Sequence, residues 1–257
     1  MRAAATFAFA LVLVALGITG FIVRDYEPLW LPPDGLPAVV LILCNVVSIA
    51  SGVGLLWRRT SALAARVLLV YLVVWSLTFR VYDLVRAPGE FGAWDGLAEA
   101  AVPIAGAWVL YARLATDWDR RYFRRIAGDT GVRIARVLYG LALIPFGLAH
   151  FLYLDRTVSM VPSWLPAHMA LACFTGGAFI AAGVAIVVGM FARWAAALSA
   201  LEISLVTVLV WIPIMCERSL DPFEWIEVGA SVALTAAGWV VAESYRDEAL
   251  ILSSVNT

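Results

Sequence analysis

Gly147-Leu148-Ala149-His150-Phe151, followed after a short polar link by Val161-Pro162-Ser163-Trp164-Leu165-Pro166, closes one long apolar segment and opens the next. A blurred copy stands earlier, where Gly17-Ile18-Thr19-Gly20-Phe21 is followed by Leu31-Pro32-Pro33. Phenylalanine and first proline are separated by the same spacing in both copies. The repetition predicts that the chain is built from two related units, each opening with an apolar span that ends in this motif.

Composition sets the class. At 63% hydrophobic and 14% charged residues, with mean hydropathy +0.90, the chain lacks the charged surface that a soluble domain of 257 residues requires. Eight apolar runs approach the roughly 20 residues of a spanning helix: 5–23, 37–57, 62–85, 94–115, 132–154, 167–191, 194–215 and 223–241. They are continuous rather than alternating, which excludes a transmembrane β-barrel. Helices satisfy their own backbone groups where there is no water to do so. The first run follows Met1-Arg2 as a signal peptide would. It lacks an A-x-A site, however, and it has a counterpart in the fifth run, so it reads as a mature span.

Every one of the 18 basic residues is arginine, which suits a GC-rich bacterial genome. Thirteen of them fall on the side of the N-terminus, so the positive-inside rule puts both termini in the cytoplasm of a bacterial inner membrane. The opposite side is acidic, with Asp25, Asp34, Asp83, Asp95 and Glu227 among its residues, and favours cations and basic partners over anions. A shift of 131 residues carries Ile49, Ala50, Gly52 and Val53 onto Ile180, Ala181, Gly183 and Val184, Trp94 onto Trp225, and Trp108-Val109 onto Trp239-Val240. With a slip of one residue, Gly17, Phe21 and Pro32 meet Gly147, Phe151 and Pro162. Each unit has an even number of spans, so the copies share topology about an axis along the membrane normal. The expected fold is therefore all-α: eight transmembrane helices in two tandem four-helix bundles, residues 1–115 and 132–245. A cytoplasmic interfacial linker occupies 116–131 and a cytoplasmic tail 246–257. In the linker, Trp118, Tyr122 and Ile126 recur at i, i+4, i+8 between arginines, the pattern of a short helix lying on the inner leaflet.

The second unit resembles the DoxX family of small bacterial membrane proteins. The resemblance rests on Arg136-Val137-Leu138-Tyr139-Gly140-Leu141, the two motifs of the opening stretch, Gly176-Gly177, Gly183 and Arg193-Trp194-Ala195-Ala196. It implies a four-helix unit and, for some relatives, a link to thiosulfate–quinone oxidation or to membrane-associated redox complexes. The fused and diverged first unit departs from the family pattern.

Few residues can carry chemistry. Glu202 stands mid-span, where an acid costs about 2.5–3.5 kcal/mol to insert and therefore faces protein or a wet cavity. It reads either as a proton relay or ligand contact, or as a bond to a neighbouring helix through Ser204 or a carbonyl. Its repeat position is Tyr71, so the units are not equivalent there. Asn45, Ser48 and Ser51 on the second span read as a packing seam before a ligand site. Arg80, Asp83 and Glu99 are expected to form an ion cluster at the outer rim, with Arg80 and Asp83 paired at i, i+3. His150 and His168 lack the carboxylate spacing of a metal site; His150 suits a helix-end cap or a quinone headgroup. Trp164, stiffened between Pro162 and Pro166, is a candidate lid, while the other tryptophans form interfacial belts. Cys44, Cys173 and Cys216 show no C-x-x-C, and no dinucleotide, phosphate-loop, triad or haem motif occurs.

Three function classes follow. The resemblance favours a membrane subunit of a quinone- or thiol-linked redox complex, with quinone as the one cofactor implied and a soluble or membrane oxidoreductase as partner. The lack of intrinsic cofactor motifs favours a non-enzymatic module that binds lipid, an apolar ligand or a partner protein. Glu202 favours a proton or small-solute transporter. The lipid bilayer is the common partner of all three, and nothing in the chain points to nucleic acid.

Overall fold

The computed structural model describes residues 2–23, 36–217 and 222–255, and among these every regular element is helical. The elements are α1 (Arg2–Val23), α2 (Ala38–Leu56), α3 (Ser61–Trp75), α4 (Val81–Arg86), α5 (Phe91–Leu114) and α6 (Asp117–Tyr122), then α7 (Gly128–Leu152), α8 (Leu154–Met160), α9 (His168–Val188), α10 (Ala192–Val206), α11 (Ile212–Glu217) and α12 (Pro222–Val255). Among the described residues, seven stretches are long and apolar enough to cross a membrane: α1, α2, α3 continued to Arg86, α5, α7, α9, and α10 continued to Cys216. The chain is a multi-pass helical membrane protein. The Leu31–Pro33 echo of the opening motif lies outside the described residues.

Helices α1, α2, α3 and α5 pack successively on one another, as do α7, α9, α10 and α12. The two series meet where α5 packs on α7 and α12, and where α1 packs on α12. Helix α5 is the centre: 72% of its apolar window is buried inside the protein, against 33–44% for the other six stretches. At its crossing with α12, a Cβ on Gly106 would stand 2.9 Å from the Ala237 Cβ, so small residues set the approach.

From the third helix of each series onward, the element starts recur at a constant offset. Helices α3 and α10 begin at 61 and 192, and their α-helical parts end in π-helical turns at Ser76–Arg80 and Thr207–Trp211. Helices α4 and α11 begin at 81 and 212, and α5 and α12 at 91 and 222. All four pairs are 131 residues apart. The first two helices of each series also cross in the same way. A Cβ on Gly52 would meet the Ala10 carbonyl at 2.6 Å, and one on Gly183 would meet the Gly140 carbonyl at 2.6 Å. Likewise Gly17 lies against Ile49 and the Asn45 carbonyl, and Gly147 against Ile180 and the Gly176 carbonyl. These four glycines let backbones touch, the contact that holds helices together where lipid competes for every apolar face.

Local signals explain the corners. Thr60 Oγ1 donates to the Gly54 carbonyl at 2.9 Å, satisfying an end of α2 before α3 begins. Gly189, at φ 83°, closes α9 in the left-handed conformation that terminates helices. Two sequence expectations change. The linker helix stops at Tyr122, because the chain turns from Phe123 to Ile126 and Ile126 is used instead as a carbonyl acceptor for Trp108 Nε1 at 2.9 Å. The second series starts at Gly128 rather than 132.

Candidate functional site

One buried polar set belongs to α7, α10 and α12. Arg136 and Tyr139 are one turn apart on α7, and both are buried. Arg136 Nε donates to Ser244 Oγ at 2.8 Å and its guanidinium lies 3.9 Å over the Tyr245 ring. Arg113 Nη2, from α5, donates to the same residue's carbonyl at 3.0 Å. Two arginines from different series therefore converge on one turn of α12. The Tyr139 hydroxyl is 3.1 Å from Ser199 Oγ, which itself donates to the Ala196 carbonyl at 3.2 Å. Ser199 has a single proton to give, so Tyr139 donates to Ser199.

Glu202 follows Ser199 by one turn of α10 and acts electrostatically on Tyr139. It is half-buried, between Leu198, Leu201 and Leu205, which are all exposed on the surface that lipid covers. Glu202 thus stands on α10 beside exposed leucines, one turn from the buried Tyr139–Ser199 hydroxyl pair. Ser204 is not its partner: that hydroxyl donates to the Ala200 carbonyl at 2.6 Å and accepts from Trp239 Nε1 at 2.9 Å. In the π-helical turn after α10, Thr207 meets Thr235 Oγ1 at 3.0 Å and Trp211 Nε1 donates to Ser231 Oγ at 2.9 Å. Three hydrogen bonds between side chains therefore join α12 to α10 and this turn.

At the end of the protein opposite the N-terminus, the first π-helical turn delivers Arg80 onto α5, where Nη1 lies 3.3 Å from the Cβ position of Gly96. Glu99 is within electrostatic reach of Asp95, Glu227 and Arg80, and Glu227 of Arg156. Arg80, Asp95 and Glu227 thus all act electrostatically on Glu99. Asp83 is exposed on α4. The sequence missed the π-helical turn, which carries no residue signature of its own, and so missed what turns Arg80 inward.

The remaining candidates do not gather around Glu202. His150 Nδ1 is 2.8 Å from the Phe146 carbonyl, so Nδ1 carries the proton and donates, and the ring packs on Phe179 at 5.6 Å. Its side chain therefore bonds a carbonyl one turn back on its own helix. Trp164 is 63% exposed at a turn closed by Leu165 N–H to the Pro162 carbonyl, and Ala167, at φ 55°, leads the chain into α9. Instead of a lid it presents a free-standing interfacial ring. Asn45 is fully buried where Gly17 and Gly20 of α1 cross α2, with Ser48 and Ser51 beside it on the buried face. Among the described residues, no group of three His, Cys, Asp or Glu side chains is placed to hold a metal ion.

A fourth polar site lies at the N-terminal face. Thr116 and Asp119 form a capping box at the start of α6, with Thr116 N and Oγ1 donating to Asp119 Oδ2 at 2.8 and 2.6 Å. Arg66 Nη2 donates to the same oxygen at 2.7 Å and Tyr111 to Oδ1 at 3.2 Å. Burial pushes the Asp119 carboxyl up, but the bonds from Arg66 and Thr116 outweigh it and hold the group at about 2. The Thr-x-x-Asp spacing is the signal that could have found this clasp. Tyr139 and Ser199 had none beyond apolar neighbours on both sides.

Comparison of the chain with protein-family models, curated proteins and solved structures finds no match in any of the three.

Proposed function

We propose that this protein is a membrane subunit of a quinone-linked redox complex, built of two fused DoxX-like four-helix units with α12 as the eighth span, and that its second unit carries the function. The offset of 131 residues between the starts of α3 and α10, of α4 and α11 and of α5 and α12, together with the paired glycine crossings, supports the duplication. The arginine distribution supports cytoplasmic termini in a bacterial inner membrane. The observation that carries the functional reading is Glu202, half-buried beside exposed leucines and one turn from the Tyr139–Ser199 pair. A quinone moves within the bilayer and presents carbonyl oxygens, so a carboxyl approached from lipid suits its headgroup. Glu202 would touch that headgroup; Tyr139 and Ser199 are positioning residues that act through it. Bound quinone supplies two-electron redox chemistry, and an oxidoreductase partner is then required for turnover. The test is mass spectrometry of quinone retained by the purified protein. Retention in the wild type and loss in Glu202→Gln supports the reading, and absence of quinone from membranes rich in it overturns it.

A second reading, a proton or small-solute transporter, is favoured by one specific observation. Glu227, Ser231 and Thr235 stand at successive turns of α12, leading inward from the Asp95 and Glu99 cluster. Flux in proteoliposomes that is lost in Glu202→Gln but kept in Asp83→Asn would favour it over the quinone reading.

A further inference from the structure

A groove lies between α2 and α3 of the first series. Its volume is about 590 Å³ and its walls are almost wholly apolar: Leu43 and Val47 on one side, Val67, Val70 and Val74 on the other. Val70 and Val74 are 56% and 55% exposed, so the groove opens sideways to the bilayer. Along α3 it runs from Arg66 to Phe79, about 20 Å at 1.5 Å per residue. That exceeds the roughly 15 Å depth of one hydrocarbon leaflet.

Only one end is charged. Arg66 lines the groove there while its Nη2 is held by Asp119, and its guanidinium stacks 4.9 Å over the Trp118 ring. Trp118 in turn contacts Tyr122 and Phe123, with centroids 5.3 and 5.4 Å away, and all three rings are exposed. Arg58, Arg59, Arg124 and Arg125 are exposed on the adjoining α2–α3 corner and after α6. Across residues 58–66 and 116–125 there are seven arginines and two aspartates. The local field is strongly positive, and exposed aromatic rings mixed with arginine mark a headgroup level rather than open water.

We propose that this groove is a binding site for one anionic phospholipid of the leaflet on the N-terminal side. An acyl chain lies along the valine wall of α3, and the phosphate is held among the arginines beside Trp118. An acyl chain fits the length and apolarity of the groove, and the net positive mouth selects an anionic headgroup over a zwitterionic one. Because the Asp119 clasp fixes Trp118 and Arg66 against α3, the mouth is preformed rather than assembled by the lipid. The site is independent of the quinone reading, which concerns the other series.

The experiment is native mass spectrometry of the full-length protein, equilibrated with equimolar phosphatidylglycerol and phosphatidylcholine of identical chains. Retention of a single phosphatidylglycerol, at least fivefold over phosphatidylcholine, is expected. Val70→Trp fills the groove from its exposed wall and should abolish that retained lipid. Arg124→Gln with Arg125→Gln, both on the surface, should lower the preference at least threefold while a lipid is still retained. Equal retention of the two lipids, or unchanged retention in Val70→Trp, would mean an annular lipid only and overturns the proposal. Quinone measured in the same samples separates the two readings: Val70→Trp should leave it unchanged.

Discussion

The α1–α5 half and the α7–α12 half share the start points of their later helices and their glycine crossings, yet differ in what fills the same depth. Phe9 and Tyr139 are both fully buried at equivalent places in α1 and α7, but only Tyr139 carries a hydroxyl. Leu68 of α3 stands where α10 has Ser199, and Tyr71 where it has Glu202. In the second half, three hydrogen bonds between side chains join α12 to α10 and the π-helical turn after it. In the first half Trp108, the equivalent of Trp239, reaches instead to the Ile126 carbonyl after α6. The glycine crossings thus recur while the polar content differs: Glu202 on α10 in the second half, an Arg66–Asp119 clasp and an apolar groove in the first.

That contrast can be broken at several points. The largest effect is expected at the clasp, which only the first half possesses. Asp119→Ala leaves Arg66 and Tyr111 without their shared acceptor and should cost about 3 kcal/mol of stability, read by thermal unfolding in detergent. It should leave any Glu202-dependent binding intact in the folded fraction. The same carboxylate gives a pH signature. Its folded pKa of about 2 lies below the ordinary value of 3.8, so its contribution is full above about pH 4 and is lost as pH falls through 2. Asp119→Asn should flatten that acid limb; an unchanged limb would mean that other carboxylates govern it.

Next come the glycines. Gly52→Leu and Gly183→Leu each force α1 from α2, or α7 from α9, and should cost about 1–3 kcal/mol apiece. Similar costs would sharpen the idea of one shared scaffold, and a large disparity would break it. The smallest effect is at the tryptophans. Trp239→Phe removes the hydrogen bond to Ser204 and should cost about 1 kcal/mol. Trp108→Phe should cost about the same, but the loss should show as faster hydrogen exchange around Ile126 rather than along α10.

Much of this was legible in the residues. Long apolar runs foretold the helices, because hydropathy is read directly by lipid. Glu202 was legible for the same reason, since an acid amid alanine and leucine violates the local pattern. The π-helical turns were not, because Ser76–Arg80 and Thr207–Trp211 have sequences that an α-helix accepts equally well. Tyr139 and Ser199 were hidden because a tyrosine or serine in a span is ordinary, and only three-dimensional packing shows that they meet. Trp164 misled in the opposite way: two flanking prolines stiffen a loop without saying which way the ring points.

The central claim is that the second half acts through Glu202 and that the first half cannot replace it. It is tested most directly by exchanging the equivalent residues, Glu202→Tyr and Tyr71→Glu, and measuring quinone retained per protein by mass spectrometry. The account predicts that Glu202→Tyr loses the quinone and that Tyr71→Glu, lacking partners like Tyr139 and Ser199, neither gains one nor restores binding in the double variant. Full retention in Glu202→Tyr, or binding restored by Tyr71→Glu, would contradict it.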